Sequence, residues 1–230
     1  MNIEARIESV LTGKPVVFGP KGQLSAMHKE LQLGTLAVTS AGILGDEQAD
    51  MVNHGGEDKA ILHYAFDHYA TWASEYMETA AQLGRGPGQF GENISTLGAV
   101  ESDICIGDVF RLGSAMVQVS QGRQPCWKLN THFGWNRMAA NVQSTGRTGW
   151  YYRVLEPGNV KTGDIWSLQE RLHDGFTLTR LQRALYVDML NYHELELIAD
   201  LSVLAFGWRE IAIRRLEAKQ VENWDSRLNG

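Results

Sequence analysis

What most limits the fold open to this chain is how glycine punctuates it up to about residue 172. Between the glycines lie short runs of alternating or continuously apolar character: IEARIESVL, AILHYAF, DVFRLG, AMVQVSQ, GWYYRVLEPG and DIWSLQER. Alternation gives a strand one buried face, and the β-branched and aromatic residues in these runs suit a pleated surface. Many short strands leave many unpaired edges, and closing the sheet on itself removes them. The pattern therefore predicts a mainly β fold, a closed barrel with helical insertions. Two helical interruptions stand out. FDHYATWASEYMETAAQL places Tyr69, Trp72, Tyr76 and Leu83 on one helical face, and residues 127–142 form a second candidate.

Beyond Asp174 the strand signal stops. Leu178, Leu181, Leu185 and Met189 are spaced by three and four, as an amphipathic helix requires. Asn191 to Glu194 resembles a capping box opening a second helix with Leu195, Ile198 and Leu201. Gly207 is placed to end that helix, and Trp208, Ile211, Arg215 and Leu216 continue as a third. The expected organisation is a β-barrel domain over residues 1–172 and a small three-helix α domain over 173–230.

Charge excludes one class of function. The net charge is −6, and residues 174–230 alone carry seven Lys/Arg against nine Asp/Glu. A helix-turn-helix reader of nucleic acid needs a basic surface, so nucleic-acid binding is not the expected role. No window approaches the apolar length of a membrane helix, and the N-terminal stretch lacks a signal-peptide pattern. Two cysteines, Cys105 and Cys126, cannot make a disulfide framework or supply an iron–sulfur cluster, and thiols suit a reducing cytoplasm.

Polar residues crowd into GDEQADMVNHGGEDKA, FGENIST, SQGRQPCWKLN and TGRTGWYYRV. Cys126 follows Pro125 and is flanked by Arg123 and Lys128. It reads either as a small buried hydrophobe or as a thiolate held for a metal or a reaction, with a helix starting at Trp127 favouring the thiolate. Cys105 alternates within an apolar stretch and reads as buried. In His54-Gly55-Gly56, bracketed by Asp46 and Lys59, paired glycines allow close backbone approach to an anion; an ordinary loop fits equally. His54, His63 and His68 match no zinc spacing. Gly86, Gly88 and Gly91 form a G-x-G-x-x-G, but a helix precedes it and a strand follows, the reverse of a dinucleotide site.

As an ordered set, GDEQAD…NHGGEDKAILHY, FGENIST, GDVFRLG, VSQGRQPCWKLN and TGRTGWYYRVLEPG resemble the molybdenum cofactor sulfurase C-terminal (MOSC) domain family. The likeness is to its stand-alone YiiM-type bacterial members, in which three helices follow the MOSC domain. It runs from about residue 12 to the end of the sequence. The resemblance implies a site for the molybdenum cofactor, a pterin dithiolene bearing a phosphate, with Cys126 as the protein ligand to molybdenum. Lys14, His54, Gly55, Gly56, Asn93, Arg123, Arg147 and Arg153 fall in the family's other polar motifs. Among them the guanidinium forks of Arg123, Arg147 and Arg153 suit phosphate or oxo groups.

The resemblance further implies an oxidoreductase that reduces N-hydroxylated compounds such as hydroxylamino bases, a detoxifying reaction. His54 or Asp46 would relay protons, and a separate reductase would supply electrons. A second reading is a non-catalytic carrier of the cofactor. In a third, the helical tail docks a partner or makes a homodimer. Pyridoxal phosphate is not expected, because the chain has no room for the sulfurase domain that binds it.

Overall fold

The computed structural model describes residues 3–19, 22–50 and 55–230. The first half of the chain gives β1 (Glu4–Thr12), β2 (Val16–Phe18), β3 (Gln23–Ser25), β4 (Glu30–Leu31), β5 (Leu36–Thr39), β6 (Gly42–Ile43), β7 (Ile61–Ala65), β8 (Ile94–Thr96) and β9 (Val109–Leu112). Then come β10 (Ala115–Gly122), β11 (Trp150–Glu156), β12 (Gly158–Val160) and β13 (Ile165–Glu170). Seven of these close a barrel in the order β1, β8, β7, β11, β10, β9, β13 and back to β1. The closing pairs are Glu4 with Ser167, Ala5 with Trp166 and Arg6 with Ile165. β4 extends the sheet at the far end of β1, while β2 with β3, and β5 with β6 and β12, form small separate sheets.

All barrel pairs are antiparallel except β7 with β8. A parallel pair needs a crossover, and the first helical insertion supplies it. That insertion is two helices, α1 (Asp67–Glu75) and α2 (Met77–Leu83), where the periodicity predicts one. The chain leaves helical geometry at Tyr76, with φ −135° and ψ 96°, and the Thr79 hydroxyl donates back to the Trp72 and Tyr76 carbonyls. Residues 127–142 likewise divide, into α3 (Lys128–Phe133) and α4 (Met138–Thr145), at Gly134, whose φ of 64° closes the first helix.

The C-terminal layer comprises α5 (Leu178–Tyr186), α6 (Tyr192–Asp200), α7 (Phe206–Ala218) and a short α8 (Asp225–Asn229). The Asn191 side chain caps α6 as expected, accepting from the Glu194 amide. Gly207 does not end α6, which stops at Asp200; it sits in the first turn of α7. Leu178, Leu181, Leu185, Ile198, Trp208 and Ile211 pack in the same apolar cluster as the barrel residues Ile7, Phe110, Trp150 and Trp166. One close seam is at Gly122, the end of β10, where a Cβ would lie 3.0 Å from the Trp208 ring. A second cluster, built on Trp72, Phe90, Tyr64 and Leu129, joins α1 to α4 on the other side.

His63 is fully buried in the barrel wall, hydrogen-bonded to Tyr152 Oη at 2.9 Å and Thr96 Oγ1 at 3.0 Å. Burial pulls its pKa from 6.5 down to about 3, and burial with nearby His28 brings His132 to about 4. The folded state keeps both neutral where an unfolded chain takes up protons. Their contribution to stability is complete above the unfolded value of about 6.5 and lost as pH falls towards the folded values, at up to about 1.4 kcal/mol per pH unit per group. Denaturant melts between pH 7 and pH 4 are expected to show this loss. His63→Gln should be less stable at pH 7 but flatten the acid limb.

Candidate functional site

β10 ends at Gly122, and residues 123–127 then turn into α3 over one mouth of the barrel. A bulge between Val119 and Gln121 re-aims the strand before it leaves the sheet, and the Ser120 hydroxyl donates to the Asp58 and Tyr151 carbonyls. The Arg123 amide donates to the Gly149 carbonyl at 3.1 Å. Cys126 emerges half-buried on the cavity side, whereas Cys105 is buried and its thiol is pushed up by burial. The expected helix after Cys126 has only six residues, and the Trp127 amide is already bonded to the Arg227 carbonyl. The helix end therefore adds little to the electrostatics of the thiol.

Cys126 borders two connected hollows. The inner one is lined by Lys29, Asp46, Asn93, Arg123, Gln124 and Tyr151 among others. The outer cleft, of about 880 Å³, runs between the barrel and the C-terminal helices, with Gly55, Gly56, Trp127, Phe206, Trp208 and Arg227 in its walls. Lys59, Lys128, Gln124, Tyr151 and Cys126 face both. Among the described residues, four cationic side chains line the inner hollow, Lys29, Lys59, Arg123 and Lys128, and Arg227 adds a fifth in the outer cleft.

Their surroundings differ. Lys29 is ion-paired with Asp46, and both side chains are buried; Asp46 also accepts from the Gly13 amide at 2.8 Å. Burial lowers the pKa of Lys59, opposed by Asp50 and Asp58. Burial raises that of Tyr151, opposed by Arg123, so its hydroxyl stays protonated. Arg123 is only 5% exposed, yet its Nη1 has no hydrogen-bond partner among the described residues. A buried guanidinium nitrogen without an acceptor is costly, and the inner hollow it lines is where an acceptor would fit.

The structure gathers some of the residues the sequence singles out and disperses others. Cys126, Arg123, Asp46 and Asn93 meet at the inner hollow, although the Asn93 amide is spent on the Leu62 amide and the Leu11 carbonyl. Gly55 and Gly56 line the outer cleft, and His54 lies outside the described residues. Lys14 is exposed and borders neither hollow. Arg147 forms a bidentate pair with Glu75, at 2.6 and 2.9 Å, and lies over Trp72 on another face. Arg153 is held by Asp58, Gln118 and the Val203 carbonyl. Of the three arginines, only Arg123 lines the hollows that Cys126 borders. Lys29 carries no motif signal in the sequence, and topology alone brings it here; Tyr151 lies within TGRTGWYYRV, where the arginines and not the tyrosines draw attention.

The barrel matches the MOSC domain model over residues 50–166, and the helical layer matches the YiiM-like, 3-alpha helix domain model over residues 177–218. Protein YiiM of Escherichia coli (strain K12) is 42% identical over 224 residues, covering 96% of this chain and 97% of that one. The chain belongs to the MOSC-domain family, in its YiiM-like form. The crystal structure of Escherichia coli YiiM superposes with a TM-score of 0.82, covering 99% of this chain and 100% of that one at 32% identity. A protein of Gibberella moniliformis (strain M3125 / FGSC 7600) called "Reductase" is 37% identical over 162 residues, 70% of this chain but 28% of its own length. Among the described residues, no helix is long and apolar enough to cross a membrane.

The ion pair at the inner hollow makes a direct test of how Asp46 is used. Lys29→Met is expected to cost about 3–5 kcal/mol, because it leaves a buried carboxylate uncompensated. Replacing both partners, Lys29→Met with Asp46→Leu, should recover most of that loss in denaturant melts.

Proposed function

We propose that this MOSC-family protein binds the molybdenum cofactor between barrel and helices and reduces N-hydroxylated compounds with electrons from a separate reductase. The observation that carries the reading is the buried Nη1 of Arg123, without a hydrogen-bond partner among the described residues, at the same hollow as Cys126. A soft thiol beside an unsatisfied guanidinium suits a metal centre attached to an anion. Among the described residues no group of three His, Cys, Asp or Glu side chains could hold a metal. One protein sulfur therefore suffices only for a metal that arrives already chelated, as molybdenum does on its dithiolene. The match to a protein called a reductase supports oxidoreductase chemistry, and the extra length of that relative leaves room for an electron-supplying part.

Cys126 would ligate the metal, and Arg123 would accept the anionic end of the cofactor, with Lys128 adding positive charge. Bound there, the cofactor supplies two-electron redox chemistry. Reducing R–NH–OH to R–NH2 and water also consumes two protons, which this chain must deliver. Asp46 is engaged as an acceptor by Lys29 and the Gly13 amide, which makes it a poor relay. Lys59 faces both hollows, and burial loosens its proton, so its Nζ is the better donor. Gln124 and the protonated Tyr151 hydroxyl can orient a polar substrate nearby.

Protein purified from a host that makes the cofactor is expected to contain molybdenum and pterin, measured by elemental analysis and pterin fluorescence. Cys126→Ser should lose most of the metal, and Arg123→Met should lose pterin and metal together. Unchanged molybdenum in Cys126→Ser would remove the ligand assignment. Lys59→Met should keep its molybdenum while hydroxylamine turnover with an artificial donor falls about a hundredfold. Cofactor bound in the parent protein without any turnover would make it a carrier instead.

A further inference from the structure

α8 lies beyond residues 177–218, which the helical-domain model matches, and its Arg227 grips the cysteine turn from both sides. The Arg227 carbonyl accepts from the amide of Trp127 at 2.8 Å, directly after Cys126. Its Nη1 donates to the carbonyl of Pro125, directly before Cys126. Its Nη2 donates to Gln143 Oε1 at 2.6 Å, tying the same fork to α4. One residue further, the Leu228 carbonyl accepts from Asn130 Nδ2 at 2.8 Å, fixing α8 to α3. The guanidinium lies 5.8 Å from the Tyr186 ring and 5.9 Å from the Trp224 ring, between α5 and the segment leading into α8. Ser226 and Arg227 also form part of the outer cleft's wall.

We infer that Arg227 is a positioning residue that fixes the Cys126 thiol at the cleft, and that α8 is the wall holding it there. The geometry is specific to a guanidinium. Two donors pointing at two separated acceptors need a rigid fork, which an ammonium cannot reproduce. Because the backbone is bonded immediately before and after Cys126, the cysteine has little freedom except through its own side chain. Removing the Arg227 side chain frees the Pro125 carbonyl and unties α8 from α4, so that the Arg227 carbonyl alone still holds Trp127 and the thiol can leave the position from which it faces both hollows. The consequence for cofactor loading rests on the function proposed above; the positioning itself does not.

The two cysteines give the test an internal control. Full-length protein from a host lacking the cofactor is alkylated with iodoacetamide, and Cys126 and Cys105 are followed separately by mass spectrometry. In Arg227→Ala, Cys126 is expected to react about tenfold faster while buried Cys105 keeps its rate, as local opening requires. Arg227→Lys and Gln143→Leu, each missing part of the fork, should fall between Arg227→Ala and the parent. Arg183→Ala, which removes an exposed pair with Asp188, should match the parent. Equal acceleration of both cysteines, or of neither, overturns the inference. Unaltered alkylation in Arg227→Ala together with lost molybdenum in Cys126→Ser would overturn the positioning role alone. Faster Cys126 alkylation with molybdenum unchanged in Cys126→Ser would support it while removing the cofactor reading.

Discussion

β1 is the strand on which the rest of the molecule closes. Its first residues pair with β13, its middle with β8 and its last two with β4, so one extended segment seals the barrel and continues past its rim. A straight strand cannot serve three partners facing different ways, and the register shift between Ile7 and Ser9 provides the bend. At the shifted position the Ser9 and Ser95 hydroxyls meet at 2.6 Å in a fully buried setting, satisfying polar atoms at the distortion. Past the bend, Gly13 donates its amide to Asp46. The residue directly after the strand that closes the sheet thus holds Asp46, one of the residues that line the inner hollow. Site and barrel are consequences of the same chain path.

Within that hollow, two buried cations contrast in how they are satisfied. Lys29 has a complete local solution, since Asp46 neutralises it and the Gly13 amide completes the carboxylate. Arg123 has none on its inner nitrogen. Folding could have met that need with a neighbouring carboxylate, as Glu75 does for Arg147 and Glu222 for Arg215. A desolvated guanidinium whose donor stays open among the described residues supports the anion site proposed above. The adjacent lysines extend the same positive field into the outer cleft, where a bulkier ligand fits.

The strand layout was legible because alternation and glycine punctuation report directly on local geometry. Every run quoted from the N-terminal part overlaps one of the observed barrel strands. Helix breaks were less legible. Tyr76 carries no proline or glycine signal, and its departure from helical geometry is stabilised by Thr79, whose hydroxyl bonds appear only in the folded chain. Gly207 shows the opposite error: a residue suited to ending a helix begins one, because α6 has already stopped at Asp200. The arginines were the least legible. Arg123, Arg147 and Arg153 sit in similar polar, aromatic contexts, and what separates them is a partner 72 residues away in Glu75 or 95 away in Asp58. Sequence neighbours cannot show which guanidinium the topology will satisfy.

The helical layer then determines how rigid the site can be. Its apolar residues belong to the barrel's own cluster, with Trp208 packed against Gly122 just before Arg123. Polar ties cross the same boundary, among them the bond from the Ala205 amide to the Ser120 carbonyl and that from Arg153 to the Val203 carbonyl. Swinging the helices away would expose the seam and strip bonds from the strand that carries the cysteine turn. A cleft walled by both parts is thus preorganised rather than hinged, and a ligand there pays little to assemble it. Leu24 and Phe206, which are 52% and 63% exposed, also line this cleft. Large apolar side chains held in water at the rim of a charged cleft cost the free protein something.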